Sequence, residues 1–324
     1  MVSEDPRDFV GWDWTDVAEA DPAATFFHTP RFLKLYWEEF GDEAGLLLAM
    51  AREAGRTVGA AAFECAGPTL RFLGGTEVTD YKGPVAIPGT EDRVAAAVLE
   101  AVASRPGWAG ADLRGLPEDS PWLDRLRRAA VAIGLPAEVA EDGVAPFLPL
   151  ASTFEEYLAR LPAKLRHEIR RKARRLEAAV GERRLVHSGA DTLEEDLGLF
   201  ADWHRASEGP KGVFMVPGME IFFRRLGEVF LPSGMFRLSF LEAGGRKLAG
   251  VLGFRFRRRH YLYNSAFDPM RRQVAPGMVL IGDLIADAIS DGCEAVDMLK
   301  GELHYKFRFG ARRRVVRRLV LPAG

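Results

Sequence analysis

The sequence predicts an α/β (α+β) protein of two domains, each a mixed, mostly antiparallel sheet flanked by helices. Three observations predict it. At 324 residues the chain is about twice the length of one ordinary domain core. Strand-like runs bounded by glycine and proline alternate with segments of helical period along the whole chain. The segment GRTVGAAAFE (55–64) is echoed by GRKLAGVLGF (245–254), a repeat of about 190 residues. That period exceeds the roughly 20–50 residues of a solenoid unit, and two copies read as a duplicated domain. The division is placed at residue 150, giving domains 1–150 and 151–324.

The first helix follows Thr29-Pro30, a capping residue and a proline at the first helical position. Phe32, Leu35, Tyr36 and Phe40 form its apolar stripe and Gly41 stops it. Strands at 46–52 and 57–64, joined through Ala54-Gly55, are followed by TLRFLGG and GPVAI. Residues 91–104, 109–115, 119–133 and 136–150 then read helix, strand, helix and a final strand pair. In the second half Ser152 is the expected cap of TFEEYLARL, and Pro162 opens a long basic helix that ends at Gly181. A strand (183–188), two helices (LEEDLGLFADWHRAS and GMEIFFRRLGEVF), three strands, the helix GMVLIGDLIADAIS, the strand EAVDML and a last strand VVRRLVL complete the order.

Composition narrows the function classes. Hydrophobic residues at 48% and charged residues at 28% are those of a chain that buries a core, not of a disordered one. No apolar run approaches the ~18 residues of a membrane span, and the acidic start lacks a basic, apolar leader, so a cytoplasmic protein is expected. Cys65 and Cys293 form neither a disulfide framework nor a metal-ligand cluster, and both are assigned to the core. No HExxH, CxxC or P-loop string occurs, so no metal is expected. Residues 1–150 hold 13 basic and 25 acidic side chains, a net −12, whereas residues 151–324 hold 31 and 21, a net +10. This asymmetry fits two readings: attraction between the halves, or an anionic ligand on the basic half.

Several segments carry candidate chemistry. Arg271, Arg272, Gln273, Pro276, Gly277 and Met278 stand between a strand and a helix, where exposed backbone N–H groups and the helix dipole favour a pyrophosphate. An ordinary helix start with solvated arginines would look the same. The stretch from Asp297 to Arg308 gathers Asp297, Glu302, His304, Tyr305 and Lys306 just past a strand, where α/β sheets place ligands. Asp297, Glu302 or His304 fits a general base, and Lys306 or Tyr305 a donor to a developing oxyanion. The competing reading has Asp297 capping the strand end and Lys306 on a solvated face. Asp80, Tyr81 and Lys82, after Gly74-Gly75, read as acceptor-binding residues or as a polar turn. His204 in DWHRAS, with Asn264, is a further substrate-binding candidate, although a lone histidine of that setting is also a common structural residue. The helix 163–178 carries Lys164, Arg166, Arg170, Arg171, Lys172, Arg174 and Arg175 opposite Leu165, Ile169 and Leu176. It suits the phosphates of RNA or of nucleotide-linked acceptors, with Arg166 and Arg170 as substrate contacts, an anionic membrane surface, or the acidic first half.

The order of elements, with FHTPRFLKLYWEEFG, LGGTEVTDYKGPV, LPAKLRHEIRRKARRLE, DWHRAS and VAPGMVLIGDLIADAISDGCEAVDMLKGELHYKFRFGA, resembles the tandem GNAT acyltransferases, the Fem-type aminoacyltransferases and the CelD/BioF2-like acetyltransferase group. The likeness covers nearly the whole chain, and Asp297 to Ala311 is its most specific piece. It implies an acyltransferase (EC 2.3 class) with a degenerate first domain on the acceptor side and a catalytic second domain. Lys306 of the YKF stretch is the residue it places first at the transfer centre. It implies acyl-CoA as donor and an amine or hydroxyl of a small molecule, sugar or cell-envelope precursor as acceptor. Fem-type enzymes use aminoacyl-tRNA, so a peptide-bond-forming transferase with tRNA as partner is the alternative, and a non-catalytic GNAT-fold binding protein is a second. The loop at 271–277 departs from the QxxGxG pattern by keeping one glycine, and the long coiled-coil arm of some Fem-type enzymes has no counterpart. DNA is not an expected partner.

Overall fold

The protein is described by a computed structural model covering residues 2–3, 8, 14–41, 45–105, 107–207 and 210–322. Two compact units divide the chain: Met1–Val144 with Arg314–Gly324, and Ala145–Arg313.

The first unit's strands are β1 (Val2–Ser3), β2 (Leu46–Glu53), β3 (Arg56–Ala66), β4 (Thr69–Phe72), β5 (Val85–Ala86), β6 (Gly110–Pro117) and β7 (Glu138–Val144). The second unit holds β8 (Phe147–Pro149), β9 (Arg183–His187), β10 (Phe236–Ala243), β11 (Arg246–Phe256), β12 (Arg259–Phe267) and β13 (Ala295–Asp297). The last strand, β14 (Val315–Pro322), returns to the first unit. Its sheet runs β1-β2-β3-β4-β6-β14-β7, with β5 on β3. The second sheet runs β8-β13-β12-β11-β10-β9. Both are mixed and mostly antiparallel, as the sequence predicts; the parallel contacts are β4 with β6 and β12 with β13.

The expected division at residue 150 differs from these units at both ends, for a reason of strand pairing. Phe147–Pro149 hydrogen-bonds to β13 and so belongs to the second unit, and β14 fills the place between β6 and β7 in the first. Neither partner is visible in a local pattern.

The sequence repeat corresponds to the two central strands, β3 and β11. Each is entered by a tight hairpin turn with two residues in the left-handed region, Ala54 and Gly55 in one and Gly244 and Gly245 in the other. Such turns match the twist of antiparallel strands. In both hairpins the register slips once next to the turn, between Ala51 and Arg52 and between Leu241 and Glu242.

In the first unit, helices Glu91–Ala103 and Trp122–Ala132 pack Val94, Val98, Trp122 and Leu126 with Phe63, Leu113 and Leu319 of the sheet. In the second, helices Phe154–Arg160, Ala163–Val180 and Pro276–Ser290 share a core with β10–β13 through Leu158, Leu176, Val251, Leu280, Leu284 and Val296. Helices Leu193–Arg205 and Pro217–Phe230 carry Phe200, Trp203 and Phe222, and the Trp203 ring meets Phe240 edge-on. The cap of Phe154–Arg160 is Thr153, not Ser152: its hydroxyl accepts the Glu156 N–H at 3.2 Å.

Each unit buries a neutral histidine. His28 takes the Thr25 N–H on Nδ1 at 3.0 Å, and burial lowers its pKa to about 4. His260, 1% exposed, has no hydrogen-bond partner for either ring nitrogen among the described residues. Burial and then the Arg255 charge lower its pKa to about 3. The unfolded chain binds these protons near the ordinary value of 6.5, so it holds more protons than the native state below that pH and stability falls with acid.

Two predictions follow from the fold. Stability should decline from pH 6.5 toward pH 4, each histidine contributing roughly 1.4 kcal/mol per pH unit. Urea titrations at stepped pH should show a shallower decline in His260→Leu; an unchanged slope would remove His260 from this account. A chain ending at Arg313 lacks β14 and should lose amide-exchange protection in β6 and β7 while β10–β12 keep theirs. Uniform protection in the truncated chain would contradict the strand's place.

Candidate active site in the second unit

β12 and β13 are paired over three positions only, Arg259–Tyr261 against Ala295–Asp297. β12 then continues from Leu262 to Phe267 with no partner on that side among the described residues, so the parallel strands part and leave a wedge. The register of β12 on β11 slips from Leu252 opposite Asn264 to Gly253 opposite Leu262, so Tyr263 is the extra residue of a bulge. Bulges of this kind bend a strand and re-aim its side chains.

A cavity of about 210 Å³ occupies the open end of the wedge. Val251, Ser265, Phe267, Met278, Leu280 and Tyr305 contribute to its lining. A second cavity of about 260 Å³ shares Ser265, Ala266, Phe267 and Arg272 with the first and adds Ala206, Ser207 and Pro269. Arg272 and Tyr305 are the ionisable side chains that line the two.

Tyr305 comes from the short helix His304–Phe307. Burial pushes its phenol above the ordinary value of 10, and a hydrogen bond with the Ser265 side chain opposes that shift without reversing it. The group is therefore a proton donor at neutral pH. Lys306 points the other way. It is 5% exposed, and its Nζ donates to the carbonyls of Met298, Leu299 and Lys300 at 2.7, 3.0 and 2.9 Å. Leu299 has a φ of 57°, a left-handed conformation that a leucine adopts only under local constraint. Asp297 is fully buried and accepts the Leu299 N–H at 3.0 Å. These two residues hold the turn that follows β13. The competing reading of a solvated Lys306 does not hold: three backbone carbonyls draw its ammonium inside.

Glu302 and His304 are exposed and line neither cavity. Glu302 is 3.2 Å from Arg313, with both side chains about half exposed. His204 is 1% exposed, and its Nε2 lies 2.8 Å from Asn264 Oδ1. The same Oδ1 accepts the Ser265 N–H at 3.1 Å, which identifies it as oxygen, so His204 Nε2 carries the proton. The structure thus joins His204 and Asn264, two separately chosen candidates, into one pair beside Ser265.

At the start of helix Pro276–Ser290, Ala275 is left-handed and supplies no side-chain cap. The Met278 and Val279 N–H groups are both bonded to the Ala275 carbonyl, at 3.1 and 3.4 Å. Pro276 has no N–H, so Gly277 alone offers one in this first turn, fewer than the sequence leads one to expect. Arg272 and Gln273 are exposed beside it and Arg271 is half-buried. On helix Ala163–Val180, Arg170 pairs with Glu155 at 2.8 Å and Arg166 is half-buried.

Asp80, Tyr81 and Lys82 lie in the first unit. Tyr81 is fully buried, accepts a hydrogen bond from Arg314, and holds that guanidinium 4.9 Å from its ring centre. Lys82 donates to the Gly75 carbonyl. Its charge and the Gly74 and Gly75 N–H groups stabilise the Glu64 carboxylate, yet burial still raises that group above its ordinary value. Tyr36 OH stands 3.5 Å from Glu64 Oε2. Sequence reasoning missed Tyr36, Glu64 and Arg314, which sit on different elements; only the Gly74-Gly75 pair marked the place.

Residues 163–307 match the family described as acetyltransferase (GNAT) domain. Over nearly the whole chain the structure is similar to a conserved protein of unknown function from Bacteroides thetaiotaomicron VPI-5482, with TM-score 0.68, 12% identity and 99% of each chain covered. It is similar to FemX, with TM-score 0.64, 10% identity, and 96% of this chain and 95% of that one covered. The C-terminal domain of a putative lysylphosphatidylglycerol synthetase from Agrobacterium fabrum follows, with TM-score 0.62, 12% identity, and 99% and 93% covered. No curated protein matches. Residues 163–307 thus resemble a GNAT domain, and the chain shares its fold with FemX, as the resemblance implies. Among the described residues no helix is long and apolar enough to cross a membrane, and no group of three or more His, Cys, Asp or Glu is placed to hold a metal ion.

Lys306→Met should lower stability by roughly 2–4 kcal/mol, because it strands buried carbonyls. Lys306→Arg should not restore it, since a planar fork does not reproduce three convergent bonds. Chemical denaturation measures both; wild-type stability in Lys306→Met would show that the turn does not depend on the ammonium.

Proposed function

We propose that this protein is an acyltransferase whose second unit receives the acyl donor in the wedge between β12 and β13 and passes the acyl group to an amine or hydroxyl. The observation that carries this reading is Tyr305: a phenol kept protonated by burial, bonded to Ser265, and facing an apolar cavity at the point where the strands part. Transfer from a thioester forms a bond from the nucleophile to the carbonyl carbon and breaks the C–S bond. In this reading the departing thiolate takes a proton from Tyr305, and the proton that the amine or hydroxyl loses on acylation returns the tyrosinate to the phenol. The apolar walls exclude water that would otherwise hydrolyse the donor. Arg271, Arg272, Gln273 and the N-terminus of helix Pro276–Ser290, with Gly277 and Met278, are the contacts proposed for the donor's phosphates. Lys306 and Asp297 act as positioning residues through the turn at 298–300. His204 and Asn264 orient the acceptor. The donor is acyl-CoA and the acceptor a small molecule or envelope precursor, in the cytoplasm.

One observation favours a second reading. A single N–H at Gly277 is a narrow cradle for a pyrophosphate, which suits an aminoacyl-tRNA donor of the Fem-type kind, whose ester carries none at that place.

The test combines binding and turnover. A ligand that binds only the native state raises its thermal midpoint, so acyl-CoA at a hundred times its Kd should contribute about 2.7 kcal/mol. With an accepted donor, Tyr305→Phe should lower kcat by about 10²–10⁴-fold with KM little changed. No shift at millimolar acyl-CoA, with an activity that RNase abolishes, would transfer the assignment to the tRNA donor; full activity in Tyr305→Phe would remove the tyrosine from the chemistry.

A further inference from the structure

We infer that helix Ala163–Val180 and the adjoining turn Pro269–Val274 form a docking surface for an anionic lipid bilayer. At 100° per residue, Lys164, His167, Arg171, Arg174 and Arg175 fall within an arc of about 100° on one side of the helix. All five are exposed. The opposite side, with Leu165, Ile169 and Leu176, packs into the core of the second unit. Lys164, Arg171, Arg174 and Arg175 have no acidic partner among the described residues, unlike Arg170, which is paired with Glu155. The cations span about 16 Å of a straight helix, with no carboxylate in the exposed arc.

A second observation selects the partner. The helix packs against the turn Pro269–Val274, at whose surface Met270 is 79% exposed, followed by Arg271 and Arg272. A large apolar side chain protruding next to cations is what an interfacial lipid contact requires: the charges meet phosphate head groups and the thioether enters the acyl boundary. RNA phosphates would satisfy the cations alone, but the exposed arc carries no Phe, Tyr or Trp side chain on which a base could stack. Arg272 also lines both cavities, so this surface adjoins the mouth of the wedge.

The proposal does not depend on the reading of the wedge as a donor site, and the experiment separates the two. The full chain is floated with vesicles of phosphatidylcholine alone or mixed with phosphatidylglycerol, at low and high salt. Each cation near an anionic surface contributes roughly five-fold to partitioning. Binding should appear only with phosphatidylglycerol, fall steeply with salt, and drop about a hundred-fold or more in the triple variant R171E/R174E/R175E with an unchanged thermal midpoint. Met270→Ser should weaken binding several-fold at every salt concentration. Equal partitioning to both vesicles, no loss in the triple variant, or retention by RNA without vesicle binding would overturn the proposal. Acyl transfer in solution is the readout for the wedge, and its presence or absence leaves the vesicle result intact.

Discussion

The early parting of β12 and β13 is the constraint on which the rest of the second unit depends. Parallel strands that stay paired leave no room for a ligand between them. Here pairing stops after three positions, and the backbone groups that the ladder would have served must be satisfied otherwise. The solution on the β13 side is a buried ammonium. Lys306 takes three carbonyls of the turn, Asp297 takes the Leu299 N–H, and a leucine is held in a left-handed conformation between them. With that turn fixed, the next helix presents Tyr305 toward Ser265 of β12, across the gap.

Adjacent residues thus have opposite tasks. Tyr305 and Lys306 are neighbours in a one-turn helix, so their side chains diverge by about 100°. One faces an apolar cavity and the other a cluster of carbonyls. Burial acts on each according to its chemistry: it keeps the phenol protonated, and it makes the ammonium dependent on the three acceptors around it.

The fold was largely legible in the sequence. Strand runs with glycine turns, capped helices and the repeat at 55 and 245 are local signals, and the structure has their elements within a few residues. The exchange of β8 and β14 between units was not legible, because Phe147–Pro149 and Val315–Pro322 read as strands whichever sheet they join. The site was legible in composition more than in geometry. The cluster from Asp297 to Lys306 contains one residue that lines the cavity, Tyr305, but residue type alone does not say which of Tyr305 and Lys306 faces it. Ser265 had no signal beyond its place in a strand, and the pairing of His204 with Asn264 joins positions 60 residues apart.

The most direct measurement is a crystal structure of the protein grown with a non-hydrolysable thioether analogue of acyl-CoA. The account predicts that the pantetheine arm lies between β12 and the helix His304–Phe307, with its sulfur within hydrogen-bond reach of Tyr305 Oη and its phosphates beside Arg272 and Gly277. An analogue bound elsewhere, with the wedge closed by paired β12 and β13, would contradict it.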